Sequence, residues 1–155
     1  MTIADLPVRE ESQHVSTVDA VADVPPGFVR LTREQPNFLD LCQTIYYNEQ
    51  LGILAARVEA IHLNPGGIAH GGFLATLADT ALGIALKREQ AAGVPAGVTA
   101  HLSVDYCAPA RAGAWVEAHT VIERMGGRLS HTSCRLMQGD TLIAMARGMF
   151  ISARP

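Results

Sequence analysis

The spacing of hydrophobic residues divides the chain into a region of helical period and a region of period two. From Gly72 to Leu86 the residues are Phe, Leu, Ile, Ala, Gly and Thr, with Asp79 as the single ionisable side chain. That run predicts a helix over about 71–90, buried on most of its circumference. Gly93-Val94-Pro95 stops it, since proline lacks the N–H that a further turn needs. After this break Ala100, Leu102, Val104 and Tyr106 face one way and Thr99, His101, Ser103 and Asp105 the other. Such alternation describes a strand with one buried side. Three more strands are predicted at Ala114 to Glu123, Leu129 to Met137 and Leu142 to Ile151. Short turn signals, Met125-Gly126-Gly127 and Gln138-Gly139-Asp140, separate them.

Ahead of the long helix the pattern is weaker. Pro36 followed by Asn37-Phe-Leu-Asp-Leu predicts a short helix starting near Pro36, where a proline ring fits a first turn. Residues 45 to 62 alternate as two strands around Gln50-Leu51-Gly52. Residues 1–24 carry no sustained periodicity and run into Pro25-Pro26-Gly27, so they are expected to form a flexible extension before one domain over 25–155. The sum is an α+β domain, a meander of about five to six strands with one long helix.

Composition narrows the function classes. A length of 155 residues at 48% hydrophobic and 17% charged suits one domain with a substantial core. A net charge of −3 without any Lys/Arg run argues against nucleic acid. No uninterrupted apolar stretch reaches ~18 residues and the start lacks a basic, then apolar, leader, so a cytoplasmic protein with no membrane contact is expected. Cys42, Cys107 and Cys134 are odd in number and scattered without CxxC spacing, which suits a reducing compartment and small core residues. The six histidines show no HExxH or paired-ligand spacing, and no GxSxG elbow occurs, so a metal-free and cofactor-free site is expected.

The candidate chemistry lies where the glycine-rich segment Asn64-Pro-Gly-Gly-Ile-Ala-His70-Gly71-Gly72 runs into the helix. A carboxylate among apolar residues is costly without partners. Asp79 projects to the edge of a narrow stripe of Gly72, Thr76 and Gly83, which is equally a thin strip facing solvent. At a helix start the first N–H groups lack partners, and glycines such as Gly71 and Gly72 let a substrate oxygen approach them. A tight loop would use the same glycines. Gly71 and Asp79 are eight residues apart, roughly 12 Å along a helix. One chain can hardly bring both to a single carbonyl. Joint action therefore requires two copies with antiparallel helices, a homodimer with its two-fold axis between them.

These residues resemble the hotdog-fold acyl-CoA thioesterases, in the subgroup that includes the phenylacetate-degradation thioesterase. The likeness rests on Asn64, His70-Gly71-Gly72, Leu77-Ala78-Asp79 and Ala81, Val98-Thr99, Leu102-Ser103-Val104-Asp105-Tyr106 with Pro109, and Gly113, over roughly residues 35–152. The resemblance implies an antiparallel sheet wrapped around the helix, edge-to-edge dimers with two interfacial active sites, and tetramers in many similar proteins. It further implies Asp79 as the catalytic carboxylate, acting as nucleophile or as general base on water, and the Gly71 amide as the donor that polarises the thioester carbonyl. Asn64 and Thr99 match polar positions that hold the water or thioester, and His70 matches a histidine that orders the turn. Gly72 and Phe73 adjoin the substrate, with Phe38, Leu39, Phe73 and Leu74 as candidate lining for the acyl group. Coenzyme A needs cations for its phosphates; among Lys87, Arg88, Arg111, Arg124 and Arg128, Arg128 is the choice. Two other functions compete: a hotdog hydratase or dehydratase, and a non-catalytic acyl-CoA sensing module. The mid-helix Asp beside the His-Gly-Gly turn favours the hydrolase over the first, and retention of the carboxylate favours it over the second.

Overall fold

The computed structural model describes residues 24–32, 35, 37–90 and 97–152. The N-terminal extension up to residue 23, Pro36 and Gly93-Val94-Pro95 lie outside the described residues. Seven strands form one sheet: β1 (Val29–Arg30), β2 (Ile45–Asn48), β3 (Ile53–Arg57), β4 (Val98–Tyr106), β5 (Trp115–Arg124), β6 (Leu129–Gln138) and β7 (Thr141–Ile151). Their order is β1-β2-β3-β5-β6-β7-β4, and every pairing is antiparallel. The helix α1 (Gly71–Glu89) lies across the inner face and touches every strand from β3 to β7.

The helix obeys its sequence. Phe73, Leu74, Leu77, Ala78, Ala81, Leu82 and Leu86 are buried at spacings of one, three and four, a wide stripe against the sheet. They meet Leu54, Val116, Leu136 and Ile143, all sealed from solvent. Where α1 crosses β7 a side chain would not fit: a Cβ on Gly148 would lie 2.9 Å from Leu82 Cδ1. That glycine lets the helix settle onto the strand.

Several expectations are corrected. Among the described residues the strands number seven rather than five to six; β1, only two residues long, pairs Val29 with Tyr47 and is too short for a periodic signal. The segment after Pro36 is a 3₁₀ helix, Phe38–Cys42, that starts from Asn37, whose side chain accepts the Leu39 N–H at 2.9 Å. The second of the early strands ends at Arg57, and Ala60–His62 forms another 3₁₀ turn. Cys42 and Cys134 are buried as expected, but Cys107, just past the end of β4, is exposed.

The most consequential correction concerns β4. Thr99 pairs with Phe150 and His101 with the adjacent Met149, so Ala100 is an extra residue in the ladder. This bulge shifts the alternation by one. Thr99, opposite buried Phe150, joins the helix-facing side with Leu102 and Val104, while His101 stays outside. β4 is also an edge strand whose second edge has no partner among the described residues, and Val98 and Tyr106 at its ends are 63% and 56% exposed.

Candidate active site

The glycine-rich turn is tied by Asn64. Its Oδ1 accepts the Gly66 N–H at 2.9 Å, and its own carbonyl accepts the Gly67 N–H at 2.9 Å. Gly67 takes φ +73°, a conformation that favours glycine. Across the turn, Asn64 N–H donates to Ile68 O at 2.8 Å. The chain then leaves for α1 through two anchors: Ala69 N–H to Ala110 O, and His70 N–H to His62 O, each 2.7 Å.

His62 is a fixed post behind this segment. Buried to 4% exposure, its ring stacks on Phe73 at 4.0 Å. Its Nδ1 accepts the Glu59 N–H, which leaves Nε2 to donate to Cys42 O at 2.7 Å. The 3₁₀ helix, the turn and the start of α1 are thus connected through one imidazole.

At the helix start three successive amides have different fates. The His70 N–H is used by His62 O, and the Gly72 N–H is used by His70 Nδ1 at 2.9 Å, an N-cap. Between them the Gly71 N–H meets no acceptor among the described residues, and Gly71 lines a cavity of about 480 Å³ together with Asn64, Leu74, Tyr106 and Pro109. A free donor at the positive end of a helix is suited to an oxygen that acquires negative charge. His70 acts as an acceptor here, which fits the turn-ordering role implied by the resemblance.

Asp79 sits two turns further along α1 and is half-buried. Thr99 Oγ1 donates to its Oδ1 at 2.8 Å, a bond made available by the β4 bulge. Its second oxygen has no hydrogen-bond partner among the described residues. The structure therefore joins Thr99 to Asp79, and Asn64 to Gly71, as two clusters separated along one helix by roughly 12 Å.

The remaining assignments divide. A cleft of about 310 Å³ beside the helix start is lined by Phe38, Leu41, Ile61, Phe73 and Thr76, with Gly72 and His70 at its mouth. Leu41 and Ile61 were not singled out in the sequence; they are 69% and 60% exposed, and large apolar side chains left this open are the signal that marks them. Leu39 instead packs against the core, and Leu74 lines the Gly71 cavity. Arg128 is exposed on the β5–β6 turn, and its carbonyl accepts the Ser152 N–H at the end of the sheet where β4 begins. Arg88 and Arg124 share a different concavity of about 630 Å³ at the far end of α1, where Arg88 donates to Tyr47 Oη at 3.1 Å. Burial pushes the Cys134 thiol up from 9.0 to about 12 and raises that of Cys42, so neither offers a nucleophile near neutral pH.

One long helix wrapped by a single antiparallel sheet is the arrangement of the hotdog fold. Residues 66–144 match the thioesterase superfamily, and the chain belongs to that family. The class of chemistry is ester or thioester hydrolysis. A Pseudomonas aeruginosa protein provisionally named an esterase is 40% identical over 131 residues, 83% of this chain and 96% of that one. A variant of the phenylacetic acid degradation protein PaaI from Thermus thermophilus superposes with TM-score 0.59 at 32% identity, over 65% of this chain and 84% of its own. A Bacillus halodurans protein solved with CoA has the same fold, with TM-score 0.64 at 24% identity, covering 70% of this chain and 71% of the other.

Proposed function

We propose that this protein hydrolyses an acyl-CoA thioester to free acid and CoA, in sites shared by two copies joined along the β4 edge. The observation that carries this reading is the Gly71 N–H, left without an acceptor between two amides that are both bonded. The thioester oxygen accepts from that amide, and Asp79 of the other copy approaches the carbonyl carbon as nucleophile or as base for water. As base, Asp79 takes a proton from water while the hydroxide adds to carbon; the C–S bond then breaks and the thiolate takes the proton. Thr99 holds the Asp79 carboxylate through one oxygen, and Asn64 adjoins the thioester from the turn.

The acyl group occupies the cleft of Phe38, Leu41, Ile61 and Phe73. Arg128, at the β4 end of the sheet, is the candidate for the CoA phosphates. A fold relative solved with CoA supports that ligand class. Free Cys42, Cys107 and Cys134 suit the reducing cytoplasm.

The test is release of free thiol from a panel of aryl and alkyl acyl-CoAs, comparing wild type with Asp79→Asn. Release by the wild type, reduced by about 10³ or more in the variant, is the expected result. Saturable binding without thiol release from any substrate would overturn the reading in favour of a sensing module.

A further inference from the structure

We propose that Tyr106 is a positioning residue that sets the direction of the Gly71 amide. The inference builds on the thioesterase reading for its kinetic consequence, while the contact itself stands on geometry. The peptide group joining Gly71 to Gly72 is held at both ends by side chains. Its N–H donates to His70 Nδ1 at 2.9 Å, and its carbonyl, Gly71 O, accepts from the Tyr106 hydroxyl at 2.8 Å. The tyrosine arrives from the last residue of β4, 35 positions away in sequence. Its ring closes on the helix start, where a Cβ on Gly71 would lie 3.0 Å from both Cζ and the hydroxyl oxygen.

The arrangement addresses a difficulty inherent in glycine. A residue without Cβ lets the Gly71 N–H lie open to a ligand, and the same freedom lets its backbone rotate. Gly71 O belongs to the first helical turn and already faces the helix. The Gly71 N–H lies in the His70–Gly71 peptide, whose carbonyl accepts the Leu74 N–H at 3.2 Å; the Tyr106 bond restrains the plane after it, and the His70 N–H bond to His62 O restrains the plane before it. With both neighbouring planes fixed, the N–H between them has one direction. Phenylalanine would supply the wall of the cavity but not this bond, so the hydroxyl is the informative atom.

The test is Tyr106→Phe in the full chain, read in two ways. Amide hydrogen exchange by NMR should be faster at Gly72, whose N–H shares the peptide group with Gly71 O and is bonded to His70, by about tenfold for one lost hydrogen bond. The kcat for thiol release should fall about tenfold with KM within about twofold and little change in Tm, as expected when a donor is misaimed in the transition state. Adding His70→Ala should cost less than the product of the two single effects, because both side chains hold one peptide group. Unchanged exchange at Gly72 overturns the proposal whatever the activity. Faster exchange with unchanged kcat in an active enzyme overturns it too. A wild type that releases no thiol removes the hydrolase reading, and the exchange result alone then decides whether Tyr106 holds the turn.

Discussion

The two ends of the candidate machinery on α1 are finished to different degrees. At the helix start, His62, His70 and Tyr106 bond the backbone groups that flank the Gly71 N–H, so on the proposed reading that donor is aimed before any ligand arrives. At the midpoint, the Asp79 carboxylate has a single side-chain partner among the described residues, Thr99. The first is an electrostatic element, which works only when its dipoles are fixed in advance. The second, on the proposed reading, must reach a substrate atom, and one of its oxygens has no partner among the described residues. On the proposed reading, a single protomer holds one half of each of two sites.

That contrast can be broken most severely by separating its halves between chains. A dimer of Asp79→Asn subunits and a dimer of Gly71→Val subunits, whose new side chain would meet the Tyr106 ring, should each be nearly inactive. Co-refolded in equal amounts they should recover about a quarter of wild-type thiol release, because half the dimers carry one intact site of two. No recovery would place Gly71 and Asp79 of one chain in the same site. A smaller effect is expected at the Asp79 end. Thr99→Val keeps the strand but deletes the donor, and kcat should fall about tenfold or somewhat more, as for a hydrogen bond to a charged group. Rates within twofold of wild type would show that Asp79 needs no support. The smallest effect concerns the thiols: a maleimide at pH 7 should label Cys107 in the native protein and all three cysteines only after unfolding. Deprotonation of Cys134 then marks an alkaline limit. Its folded thiol is held up at about 12 against 9.0, so the native state binds the extra proton between those values and stability falls as pH rises through that window. Denaturant midpoints measured from pH 8 upward, in wild type and Cys134→Ala, should diverge there.

What could be read from the sequence follows physical range. The helix and the four strands after it are long periodic segments, and their limits fall within one or two residues of those observed. β1 escapes because two residues have no period. Thr99 was placed on the outer face because Thr99, His101, Ser103 and Asp105 alternate without a break; an extra residue in a ladder is visible only beside its partner strand. At the site, Gly71 and Asp79 stand out locally, one by backbone freedom and one as a solitary charge. The distance between them even implied a second copy. The Tyr106 contact spans 35 positions and the His62 hydrogen bond to Cys42 spans 20, and neither leaves a mark in local pattern.

The unequal rims of the sheet carry a consequence for assembly. An unpaired strand is a template for any other strand, which is how sheets grow into fibres. Here one rim, β4, is nine residues long and the other, β1, is two. When two copies join β4 to β4 about a two-fold axis, each loses its long rim to the other. Among the described residues, what would then remain outward is a pair of stubs with two residues apiece, too short to recruit a third chain. Growth would then terminate at the step that, on the proposed reading, brings Gly71 and Asp79 together, and the geometry proposed to complete the site would also be the geometry that stops polymerisation.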